Sequence, residues 1–208
     1  MKGQTGQARA ALTRARLIRS AAAEFALHGY DGTSLSQVCK AAGATMGALT
    51  FHYPSKVSLA RAVCAAGIEA TRTVVGKADL QAQAPLDSVG VVAGALASLL
   101  SDEGTARAAA RLTRERPSLR LDWRDSWLPL VRARLYQAEV LDQLRPGTCP
   151  ESAALLVGSL VAGVEAGLLP QSKEALLPSR TAQEHLIDLW QTALRGIGSV
   201  HDEPAPAP

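Results

Sequence analysis

The sequence predicts an all-α protein in two parts, and three observations carry that expectation. Apolar residues recur at spacings of three and four through most of the 208 residues, the period of helices with one buried face. Alternating β-branched and aromatic runs, the signature of strands, are nearly absent. Charge is unevenly divided: residues 1–77 carry ten Lys/Arg against three acidic side chains, and the remainder carries twelve against sixteen. A basic segment followed by an acidic one suggests a polyanion partner for the first. An arginine-rich solvated surface would give the same count.

The first helix is expected over Ala8–His28, with Leu12, Ala15, Ile18, Ala22, Phe25 and Ala26 as its apolar stripe and Gly29 as its stop. Ser34 caps a second, short helix, Gln37 completes a capping box, and Gly43 ends it. Thr45 caps a third helix that runs to about Tyr53 and stops at Pro54. Ser55 caps a long fourth helix bearing Val57, Leu59, Ala60, Val63, Cys64 and Ile68. The link Gly43-Ala44-Thr45 is tight and contains glycine, as the turn of a helix-turn-helix requires.

Further along, Pro85–Leu100 is apolar around much of its circumference and reads as a central buried helix. An alanine- and arginine-rich segment, Ser101–Arg116, ends at Pro117, its Arg107, Arg111 and Arg114 forming either a solvated stripe or a contact for a polar ligand group. A long helix is expected over Leu121–Leu144, kinked or delayed by Pro129. Two more helices, Pro150–Leu169 and Thr181–Ile197, precede a Pro/Ala-rich tail. The three cysteines lack metal-ligand spacing and read as reduced, part-buried thiols. No apolar run is long enough to span a membrane, and the polar N-terminus carries no secretion signal, so a cytoplasmic location is expected.

A helix-turn-helix lays its second helix in the major groove of DNA. Here that helix is Thr45–Tyr53, with Thr45, Met46, Gly47, Thr50 and His52 facing out, and Ala48, Leu49 and Phe51 turned toward the bundle or the groove wall. Gly47 permits close approach to a phosphate. The helix start at Ser55–Lys56 offers free N–H groups and a cation as a phosphate clamp.

Residues 11–63, "ALTRARLIRSAAAEFALHGYDGTSLSQVCKAAGATMGALTFHYPSKVSLARAV", resemble the DNA-binding domain of TetR-family transcriptional regulators. Within that family "GALTFHYPSK" most closely resembles the γ-butyrolactone autoregulator receptors and pseudo-receptors. Arg14, Thr45, Gly47, His52, Tyr53 and Lys56 fall on positions of the family pattern; Ser36, Met46 and Thr50 complete the candidate DNA-binding set. Two positions depart from that pattern: Met46 stands where Lys is usual and Thr50 where Tyr is usual. Both changes remove a DNA contact, although Met46 suits a thymine methyl group.

The resemblance implies domains at 8–56 (helix-turn-helix about 34–53) and 57–199, the second an all-helical ligand-binding and dimerisation bundle, with a disordered tail at 200–208. "WLPLVRARLYQA" is similar to the segment in which butyrolactone receptors place a pocket tryptophan, making Trp127 the first ligand-contact candidate. Trp123, Val92, Leu96, Leu99, Leu112, Val131 and Val164 are candidates for the same lining, and an ordinary core tryptophan is the other reading of Trp127. Small and apolar residues on the last two helices, Leu156, Leu160, Gly163, Leu186, Leu189 and Trp190, suit either a homodimer interface or interior packing.

The histidines are scattered, and no catalytic or phosphate-loop motif occurs, so neither an enzyme nor a metal or cofactor site is expected. The function expected is a homodimeric, ligand-responsive repressor of a double-stranded DNA operator, released by a lipophilic effector such as a γ-butyrolactone or an antibiotic. The competing reading is a helical small-molecule-binding protein that has lost sequence-specific DNA binding.

Overall fold

The structure, a computed structural model, describes residues 2–168 and 181–198. Nine α-helices occur among them: α1 (Lys2–Gly32), α2 (Leu35–Ala42), α3 (Met46–His52), α4 (Lys56–Asp79), α5 (Pro85–Asp102), α6 (Gly104–Glu115), α7 (Leu128–Val140), α8 (Pro150–Gly167) and α9 (Ala182–Ile197). None of them is long and apolar enough to cross a membrane. The expected tail at 200–208 lies outside the described residues.

The chain divides into two compact units. One holds the chain up to Val74 together with Leu99–Ser126; the other holds Val75–Ser98, Trp127–Leu168 and α9. Helix α6 therefore belongs with the N-terminal helices, where Ala108 and Leu112 join their core.

In the first unit, Leu17, Ala21, Phe25, Val38, Leu49, Leu59 and Val63 are fully buried in one core. Leu12, expected in the apolar stripe of α1, is 67% exposed, and Ala15 is exposed with it. The buried stripe starts later, at Leu17. Gly29 adopts φ 72° as foreseen, and one more turn of helical hydrogen bonding follows it to Gly32. The capping box of Ser34 and Gln37 is present, and Gly43 takes the left-handed conformation that closes α2.

Two of the three arginines on α6 serve neither of the roles considered from sequence, and the third, Arg114, is exposed. Arg107 donates to the carbonyls of Leu100 and Ser101 at the end of α5, and Arg111 donates to those of Ala26 and Leu27 near the end of α1. Both satisfy helix C-terminal acceptors that would otherwise lack a partner.

The long helix expected over Leu121–Leu144 begins late. Trp123–Ser126 form a 3₁₀ turn, Trp127 is the residue before α7, and Pro129 occupies the first turn, where its missing N–H costs nothing. Trp123 and Trp127 are thus not stacked on one helix. Val140, the last residue of α7, is 80% exposed. In the second unit Val92 and Leu96 of α5, Leu135 of α7 and Val157 of α8 are buried, and the Trp190 indole of α9 rests where a side chain at Gly90 would stand. Cys39 and Cys64 are buried, and desolvation pushes the Cys64 thiol up to about 11. Cys149 is exposed.

Candidate nucleic-acid interface

The reading helix α3 is short, and its geometry follows from three local choices. The Thr45 hydroxyl accepts from Ala48 N at 3.2 Å and so starts the helix. Leu49 is completely buried and anchors it to the core. Pro54 prevents its continuation beyond the cap at Tyr53. Thr45, Met46, Gly47 and Thr50 are exposed and His52 half-buried, so the outward set expected from sequence is accessible on α3. Open space surrounds the Cα of Gly47, with no atom within 4 Å of the position a Cβ would take.

Phe51 takes the outward of the two directions left open for it. Its ring is 82% exposed, set edge-on to His52 at 5.2 Å between centroids. Of the three residues expected to face the bundle or the groove wall, Leu49 is buried, Ala48 half-buried and Phe51 exposed.

The remaining DNA-binding candidates fall into three situations. Ser36 is exposed on the first turn of α2. Tyr53 is buried, and its hydroxyl accepts a hydrogen bond from Arg14 Nε at 3.2 Å. The tyrosine thus positions the exposed arginine rather than presenting its own face. Lys56, at the start of α4, holds its Nζ 4.5 Å from the centre of the Tyr30 ring, which Arg116 also approaches at 4.3 Å. Ser55 and Ser58 cap each other reciprocally, each backbone N–H donating to the other's hydroxyl. Beside the turn, Arg16, Arg19 and Lys40 wall a groove over Gly43, and Arg16 donates to Ala42 O at 2.6 Å. The charge count alone pointed to these three; their convergence needed the fold.

The expected effector-contact residues are all buried. Trp127, Val92, Leu96, Val131 and Val164 lie in the second unit, and Leu99, Leu112 and Trp123 in the first. Trp123 Nε1 donates to Thr71 Oγ1 at 2.8 Å, and that hydroxyl donates to Gly67 O. This ties the 3₁₀ turn to α4.

On α8 and α9 the expected interface residues divide. Leu186 and Trp190 are buried within the unit, Leu156 and Leu160 are half-buried, and Gly163 and Leu189 are exposed. Leu155, Ser159 and Ala162 extend the exposed strip of α8, and Leu155 is 71% exposed. Leu186 and Trp190 were drawn into the list by their helical spacing, which marks an apolar face without saying what covers it.

A family profile for bacterial regulatory proteins of the tetR family matches residues 17–63. The A-factor receptor protein of Streptomyces griseus is 30% identical over 196 residues, 92% of this chain, and the chain spans 66% of that receptor's length. A γ-butyrolactone receptor described as ArpA-like shares 26% identity and a TM-score of 0.75, over 92% of this chain and 91% of that one. CprB from S. coelicolor A3(2), a TetR family protein, is 26% identical with a TM-score of 0.72, over 93% and 92% of the two chains.

Proposed function

Because the chain belongs to the TetR family of bacterial regulatory proteins and is related to γ-butyrolactone receptors, we propose that it is a homodimeric repressor released from a palindromic operator by a small lipophilic effector. The observation that carries this reading is α3, a capped, core-anchored helix whose outer residues Thr45, Met46, Gly47, Thr50 and Phe51 are exposed and follow a tight glycine turn. The second unit, in which Trp127, Val92, Leu96, Val131 and Val164 are buried, supports the sensing half.

In this mechanism two copies of α3 enter successive major grooves, while Arg14, held by Tyr53, and Lys56, at the start of α4, contact phosphates. An effector held against Trp127 favours a state with a different head spacing, passed along α4, whose residues up to Val74 belong to one unit and whose last turn belongs to the other. Only a ligand that binds the two states unequally can do this. A lactone autoregulator is the leading effector class, with a lipophilic antibiotic as the other.

Release of a fluorescent operator duplex, titrated with γ-butyrolactones of graded acyl length, tests the proposal. Concentration-dependent release by one chain length is the expected result. In Trp127→Phe the releasing concentration rises while operator affinity is kept. Release unchanged in that variant contradicts the assignment of Trp127; no release by any lactone or lipophilic antibiotic contradicts the effector reading.

A further inference from the structure

We propose that α3 reads its operator chiefly through the C5-methyl groups of thymines, with Phe51 as a specificity-determining residue. This deepens the DNA-binding reading and rests on it.

At 3.6 residues per turn, Met46, Thr50, Gly47 and Phe51 follow one another around a single arc of α3 of about 140°, and buried Leu49 lies opposite. All four are exposed. The one hydroxyl on this arc has already placed its proton. The Thr50 hydroxyl donates back to the carbonyls of Met46 and Gly47, at 3.0 and 3.2 Å, which leaves its methyl as the outward group. The Thr45 oxygen accepts the helix-capping bond, and its remaining O–H lies off this arc. What remains on the arc is a thioether, a methyl, a bare glycine and an aromatic ring. The ring is steadied by the edge of His52.

Such a surface offers little to the donor and acceptor edges of guanine, cytosine or adenine. Thymine alone projects an apolar group into the major groove. Gly47, with open space at its Cα, lets the backbone come close enough for Met46 and Phe51 on either side to touch base edges. Placing Phe51 in water gains nothing for the fold, since Leu49 already supplies the anchor. Burying the ring against a thymine methyl recovers that exposed apolar area.

The test uses the full-length protein and the duplex that it enriches from a random pool. Each thymine in the half-site is replaced in turn by deoxyuridine, which removes the methyl and nothing else. Expected is a loss of roughly fourfold in affinity at one or more positions, the size of one buried methyl group. In Phe51→Ala or Met46→Ala the same deoxyuridine costs nothing further, because its partner has gone. Phe51→Leu, still apolar, keeps part of the discrimination. An enriched half-site without thymine, indifference of the wild-type protein to every deoxyuridine, or penalties that persist unchanged in both alanine variants would each overturn the proposal while leaving DNA binding intact. Failure to enrich any duplex would overturn the DNA-binding reading itself, and this proposal with it.

Discussion

Phe51, Gly29 and Thr45 show how differently single residues were legible. Thr45 could be read directly, because a hydroxyl before a short helix after glycine has one local use, and the structure shows that use in its bond from Ala48 N. Replacing it with alanine should cost ~1 kcal/mol of stability, seen as a lower urea midpoint, and serine should restore it. Gly29 was read as a helix stop from its neighbours alone. What sequence could not show is that a Cβ there would stand 2.6 Å from Glu115 Oε2 and 2.8 Å from Arg111 Nη2, residues more than eighty positions away. Glu115 accepts from Tyr30 N at 2.8 Å in that same space. With φ at 72° as well, Gly29→Ala should lose ~2 kcal/mol or more in urea unfolding; an unchanged midpoint would mean that the Glu115 contact gives way freely. The direction of Phe51 stayed open between bundle and groove wall because alternation within seven residues cannot tell a core-facing side chain from a groove-facing one. Burial of Leu49 settles the direction.

At the scale of elements, caps and breakers made α2, α3 and the start of α4 legible, since their signals are local. Contacts formed across distant sequence were not. Helix α6 was assigned to the second domain by its position in the chain, yet its arginine and glutamate side chains close the C-terminus of α1. Trp123 and Trp127 were set on one helix because their spacing of four fits a helical turn, but Pro129 delays α7 past both. A comparable long-range bond anchors the last turn of α4: Arg134 of α7 donates to both oxygens of Asp79, which also accepts from Ser88. Hydrogen bonding from Arg134 holds the Asp79 carboxyl below its ordinary range, against the opposing effect of its burial. A carboxyl depressed in the folded state contributes stability that is complete above its unfolded pKa, about 3.9, and is lost as pH falls through the folded value. Asp79→Asn should therefore be less stable than the wild type near neutral pH, with the gap narrowing below about pH 4. A gap that stays constant across that range would show that the ion pair adds nothing beyond shape.

At the scale of the whole molecule, the assembly is the part that one chain carries least directly. The exposed strip of α8 supplies a means of testing it. Gly163 is exposed, and nothing lies within 4 Å of the position its Cβ would take, so its own fold tolerates a side chain there. Gly163→Arg should keep the wild-type melting temperature yet sediment as a monomer where the wild type sediments as a dimer, and it should lose operator affinity. Identical sedimentation of the two proteins would place the dimer contact elsewhere. The central claim concerns DNA, and selection of bound sequences from a random duplex pool, followed by titration of the winner at two salt concentrations, tests it most directly. The account predicts a palindromic winner whose affinity falls steeply with salt, because neutralised phosphates release counterions. No enrichment at either salt concentration would contradict it and would favour a ligand-binding protein that no longer reads DNA.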